Sequence, residues 1–149
     1  MRYILTITAV LLLFSACKKD KFTTVPQISF KSVDPNFYQQ GLTPDASLPV
    51  ITVNVTDAEG DLGFITGKDT SFIFFKNLRT NKLDSVELPN IKQAATKNFQ
   101  GDVAVNMKQF LGVPNNSKKD TIFYEIYMKD FAKNKSNVIR TEKPVYYYP

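Results

Sequence analysis

At 149 residues and a formal net charge of +5, the chain is long enough for one ordinary domain and too short for two. Its basic residues are scattered instead of gathered on one stripe, which argues against a nucleic-acid partner. With no His and a single Cys, a Ser-His-Asp triad, a Cys-His pair, imidazole-based zinc sites and an internal disulfide are all excluded.

Arg2 opens the chain with a positive charge, and residues 4–14 form an unbroken apolar run. That run is well short of the ~20 residues a membrane-spanning helix needs. Small Ser15 and Ala16 then precede Cys17, as a signal peptidase with a tight pocket requires. The run Phe14-Ser15-Ala16-Cys17 resembles the lipobox of bacterial lipoproteins, with Phe14 where that family prefers a branched aliphatic residue. The resemblance implies cleavage before Cys17 and a diacylglyceryl group plus an amide-linked acyl chain on that cysteine. At ~0.8 kcal/mol per buried CH₂, several chains make an effectively permanent membrane anchor. An ordinary secretory signal with an incidental cysteine is the alternative. The expected organisation is a cleaved signal peptide over 1–16, a lipidated linker over 17–26 and a folded domain over 27–149. In the linker, Lys19-Asp20 resembles half of the acidic surface-export tag of Bacteroidota lipoproteins, but Lys21 stands where a second acid is expected. A solvated linker beside anionic headgroups is the plainer reading.

Beyond residue 26 the hydrophobic pattern repeats with period two, and no segment carries a convincing helical period. Residues 27–33 alternate, with Ile28 and Phe30 on one face. Residues 34–49 hold Pro35, Gly41, Pro44 and Pro49 and read as a long loop or irregular edge. In 50–56, Ile51, Val53 and Val55 point inward while Thr52, Asn54 and Thr56 point outward. Residues 71–78, dense with Phe72, Phe74 and Phe75, read as a central strand. A turn over 79–82 leads into 83–88, with Val86 and Leu88 inward, completing a hairpin. Residues 89–100 read as loop with at most one helical turn. Strands follow at 102–108, with Val103, Val105 and Met107 inward, and at 121–129, with Ile122, Tyr124, Ile126 and Met128 inward against Phe123, Glu125 and Tyr127 outward. The chain turns over 130–136, returns over 137–141 and ends at 144–148 as an edge-like tail blunted by Pro144.

Short strands separated by turns, without intervening helices, predict an all-β domain: a single antiparallel β-sandwich of about seven strands. That count resembles the immunoglobulin-like and fibronectin type III-like class, without the disulfide and core Trp of antibody domains. A small barrel is the alternative.

Two loops stand out, Asp57-Ala58-Glu59-Gly60-Asp61-Leu62-Gly63 and Asp130-Phe131-Ala132-Lys133-Asn134-Lys135-Ser136. They resemble the D-x-x-G-D-x-G and D-x-A-x-N-x-S patterns of immunoglobulin-like modules in bacterial lipoproteins and adhesins, with Lys133 where Gly is usual. Loops at one end of such a sandwich would bring Asp57, Glu59, Asp61, Asp69 and Asp130 to one pole. Calcium takes six to eight oxygen ligands from such a set. The spacing is not that of an EF-hand, because Gly60 comes too early and Lys68 occupies the closing Glu position. The plainer reading is that these Asp residues cap tight turns, with Gly60 and Gly63 supplying positive φ.

Paired carboxylates also raise a small hydrolase, but the chain has no Trp platform and a lone small sandwich rarely builds a sugar-sized cleft. An aromatic contact surface could come from Tyr146-Tyr147-Tyr148 with Phe123 and Tyr127; outward rings on a central strand, partly covered by a loop, are the commoner outcome. The function expected is a non-catalytic binding or scaffolding module, lipid-anchored through Cys17 in the cell envelope. Its location would be the outer membrane, facing the periplasm or the cell surface. A pole of Asp57, Asp61, Asp130 and Asn134 would meet an envelope protein or glycan, with no cofactor beyond Ca²⁺. A calcium-stabilised structural domain is the second reading.

Overall fold

The computed structural model describes residues 22–63, 70–89, 97–111 and 119–149. The expected signal peptide and Cys17 lie outside them. Among the described residues ten strands form: β1 (Gln27–Val33), β2 (Phe37–Gln39), β3 (Val50–Asp57), β4 (Phe72–Asn77), β5 (Leu83–Glu87), β6 (Phe99–Asn106), β7 (Asp120–Ile122), β8 (Tyr124–Lys129), β9 (Ile139–Arg140) and β10 (Val145–Tyr148). They make three sheets, ordered β1-β3-β6, β5-β4-β8-β9 and β2-β10-β7. Every strand pair is antiparallel except β2 with β10. The all-β class is therefore as the pattern predicts, while the single seven-strand sandwich is corrected to ten strands in three sheets.

The extra strands come from breaks that alternation hides. The predicted strand 121–129 is interrupted at Phe123: Ile122 pairs with Val145 in the small sheet, while Tyr124 pairs with Asn77 in the large one. Ile122 and Tyr124 are both buried, so the inward rhythm runs straight through the break. The loop predicted over 34–49 contains β2 and a 3-10 turn at Asp45–Ser47. The C-terminal tail is not an edge: β10 is the middle strand of its sheet, between β2 and β7. Pro144 sits just before β10, where a missing N–H removes no bond from the ladder.

The core follows the period-two reading closely. Ile51, Val53 and Val55 of β3, Val103 and Val105 of β6 and Met107 just beyond it are buried. Opposite them lie Ile73 and Phe75 of β4 and Tyr124, Ile126 and Met128 of β8. Burying each such aliphatic chain contributes about 1.5–3 kcal/mol. In β1 a register shift between Phe30 and Ser32 changes the phase, so Ile28 and Val33 are buried although an odd number of steps separates them. Phe72 and Phe74 take the outer face of β4, where Phe74 stacks on Tyr127 with ring centroids 4.6 Å apart.

Strand register defines two ends. At one end lie the pairs Gln27–Thr56, Asp57–Phe99 and Phe72–Lys129; at the other lie Val33–Ile51, Val50–Asn106 and Asn77–Tyr124. Across the β1 and β9 edges, the Asn137 side chain stands in for a missing strand pair. The Ile28 N–H donates to its Oδ1 and its Nδ2 donates to the Ile28 carbonyl, both at 2.8 Å.

Candidate functional site

Both singled-out loops fall at the Gln27–Thr56 end. The first begins as β3 ends: the Gly60 N–H donates to Asp57 Oδ2 at 2.7 Å, and Gly60 turns the chain at φ +74°. The second closes over β8: the Asn134 N–H donates to Asp130 Oδ1 at 2.7 Å, and the Lys133 N–H to the Asp130 carbonyl at 3.2 Å. Lys133, where Gly is the usual residue, adopts φ +67°, so the turn keeps its left-handed residue without glycine. Ser136 completes the ladder, its Oγ accepting from the Met128 N–H at 2.9 Å and its own N–H donating to the Met128 carbonyl. The Asp, Asn and Ser of this motif are thus turn-building positions first.

The loops are bonded to each other. The Phe131 N–H donates to the Asp61 carbonyl at 3.1 Å, and the Ser71 hydroxyl, itself buried, donates to that same carbonyl at 3.3 Å. Asp57, Asp61 and Asp130 meet as a result. Asp57 and Asp130 are fully buried. One oxygen of each of the three carboxylates, Asp57 Oδ1, Asp61 Oδ1 and Asp130 Oδ2, is buried without a hydrogen-bond partner. Burial raises the pKa of Asp57 above its ordinary value, with Asp130 adding to the rise against the backbone N–H groups of the turn that oppose it. Asp61 is pushed up to about 6 by burial and by the charges of Asp130 and Asp57. The three acids repel one another, and among the described residues no group of three or more His, Cys, Asp or Glu side chains is placed to hold a metal ion.

Of the other residues expected at this pole, Glu59 is exposed and stands apart from the trio, offering its backbone N–H to the Asp57 carboxylate. Asp69 lies outside the described residues. Asn134 is half-buried and contributes its backbone N–H to Asp130. Of the set expected to meet a protein or glycan, Asp57 and Asp130 are buried, while Asp61 and Asn134 are half-buried; Glu59, Ala132 and Lys133 lie exposed around them.

The entering chain arrives at this same pole, a feature no local pattern announces. The Ala58 N–H donates to the Thr23 carbonyl at 3.0 Å, extending the β1–β3 pairing backwards beside the acidic loop.

The opposite end is built differently. A cavity of about 260 Å³ opens there, floored by Phe75, Phe110, Ile122 and Tyr124 and rimmed by Arg79, Lys82, Asp84 and Asp120. The Tyr124 hydroxyl donates to the Phe110 carbonyl at 3.1 Å, and burial pushes its pKa well upward. Arg79 pairs with Asp120 at the rim. The sequence marked the inward aromatics as core but had no means of showing that they floor a recess.

The expected aromatic surface is only partly present. Tyr146 is 41% exposed, whereas Tyr147 is buried, its hydroxyl donating to Gln40 Oε1 at 2.6 Å. Phe123 and Tyr127 are half-buried under cations, Arg140 at 4.7 Å from one ring and Lys135 at 4.2 Å from the other. Comparison with known proteins finds no matching family model, no matching curated protein and no matching solved structure.

Proposed function

We propose that the chain is a non-catalytic binding or scaffolding module of the bacterial cell envelope, lipid-anchored at Cys17, with an immunoglobulin-like fold. Chain continuity supports the fold: β1 with β2, β7 with β8 and β9 with β10 are consecutive pieces. Counting each pair as one interrupted strand reduces ten strands to the seven of that class. The first strand then changes sheets, pairing antiparallel with β3 before running parallel to β10.

The observation that carries the functional reading is the Thr23–Ala58 hydrogen bond. It holds the start of the domain at the acidic pole, and residues 17–22 extend at most about 20 Å at ~3.4 Å per residue. An acyl chain on Cys17 would keep the acidic pole facing the membrane. The end with the 77–82 turn and the aromatic-floored cavity would face away and present itself to an envelope protein or glycan. This reverses the orientation expected from the loop motifs alone.

Photo-crosslinking in cells tests it, with a reactive side chain at Thr80 on the outer pole or at Ala132 on the acidic pole. Protein or glycan adducts from Thr80, lost when Cys17→Ser releases the protein from the membrane, are expected. Adducts from Ala132 alone, or full membrane retention of Cys17→Ser, would overturn the reading.

A further inference from the structure

We propose that the solvent-facing side of the β5-β4-β8-β9 sheet docks an acidic polysaccharide, a linear glycan carrying a carboxylate, sulfate or phosphate on its repeating unit. The inference is independent of the lipid anchor and of the outer pole. Strand register lays this face out in three rows. In the first, towards the acidic end, Lys129 and Lys135 stand opposite one another. Phe74 and Tyr127 fill the second, stacked with ring centroids 4.6 Å apart. In the third, Glu125 lies between Lys76 and Arg140. The rings seat the cations. Lys135 Nζ lies 4.2 Å from the Tyr127 centroid, Lys129 Nζ 5.8 Å from that of Phe74, and the Arg140 guanidinium 4.7 Å from that of Phe123.

Charge complementarity carries the inference. One unpaired surface lysine is ordinary, but here the unpaired cations gather on one face. Elsewhere Lys31, Arg79, Lys82 and Lys108 each pair with an aspartate. Among the described residues Lys76, Lys129, Lys135 and Arg140 form no ion pair. Of the chain's acids only Asp20 and Asp69 lie outside the described residues, and the strands bring Glu87 and Glu125 alone to this face. Four cations against two acids leave it positive. Like charges directly opposite on neighbouring strands repel, so Lys129 and Lys135 favour an anion between them. The first and third rows lie four residues apart on β8, about 13 Å along the strand. One anionic group cannot reach both, so the partner carries repeated anions on an extended chain. The cores of protein interfaces are poor in lysine. A sugar polymer offers C–H faces to the rings and anionic substituents to the ammonium and guanidinium groups.

Titration calorimetry of the full-length protein tests the proposal, with alginate and dextran sulfate as acidic probes and neutral dextran as the control. Both acidic polymers should bind, dextran should not, and the affinity should fall as salt rises. Lys129→Gln combined with Lys135→Gln should weaken binding at least about tenfold. Lys31→Gln combined with Lys108→Gln removes the same charge from lysines that are already paired, and should leave binding near that of the wild type. Failure of the wild type to bind either acidic polymer would overturn the proposal. So would equal losses in the two double variants, because net charge alone would then account for binding. Tighter binding to poly-glutamate, single-stranded DNA or phosphatidylglycerol vesicles would overturn it as well, assigning the face to a protein, a nucleic acid or a membrane.

Discussion

The two ends of the domain use the same residue type in opposite ways. At the outer end Asp120 lies beside Arg79 above a recess of aromatic rings, so its charge has a partner within the chain. At the acidic end Asp57 and Asp130 accept N–H groups of their own turns, and Asp61 lies close enough for all three charges to act on one another. The first arrangement neutralises its carboxylate within the chain, although Asp120 is itself largely buried, its side chain 13% exposed against 38% for Arg79. The second sets acids close to one another, and burial with mutual charge raises the pKa of Asp57 and Asp61.

The contrast makes the ends separable by mutation. The largest effect should come from the outer end. Tyr124→Ala empties the floor of the recess and should cost about 3–5 kcal/mol in urea unfolding. The pH response set by Asp61 at the acidic end should survive; its loss would mean the two ends are coupled. Asn137→Ala removes both bonds to Ile28 and should cost about 1–3 kcal/mol. Because those bonds join the β1 and β9 edges, proteolysis should then begin near residue 28. Gly60→Ala places a β-carbon at φ +74° and should cost about 1–2 kcal/mol, through the strained turn that holds Asp57.

The pH response distinguishes the ends further. The folded-state pKa of Asp61 lies near 6, above its ordinary value of 3.8, so its ionisation opposes folding. Stability should rise as pH falls through 6 towards 4 and fall as pH climbs back, the reverse of an ordinary paired carboxylate. Asp57 shifts the same way. Asp61→Asn should remove most of the slope. The smallest effect is expected at Lys133→Gly. Relief of the left-handed strain is largely offset by the greater backbone entropy of glycine, so the change should stay within about 0.5 kcal/mol.

Much of the architecture was legible in the amino-acid order because side-chain direction in a strand alternates residue by residue. The inward sets Ile51, Val53, Val55 and Tyr124, Ile126, Met128 follow from that rule alone. The two loops at the acidic pole were legible as turns for the same local reason: Asp, Asn and Ser bond to backbone a few residues away. Glu59 looked equivalent to Asp57 and Asp61 in sequence, yet it is exposed while the acidic trio faces inward. No spacing rule separates them, because Asp57 ends a strand whose alternation buries it and Glu59 lies two residues out on the turn.

What the sequence by itself determined is the class of the domain, its core residues and the chemistry of its turns, all consequences of contacts between residues close along the chain. Tertiary structure alone decided the rest. It split the 121–129 strand at Phe123, placed β10 between β2 and β7, and let Asn137 take the place of a strand beside Ile28. It also brought Asp130 to Asp57 and Asp61 from the far side of the chain, and set Thr23 against Ala58 so that the chain enters at the acidic pole. Each of these depends on which strand lies next to which. Pairing partners are chosen by the summed burial of whole faces, a quantity that no short stretch of sequence contains.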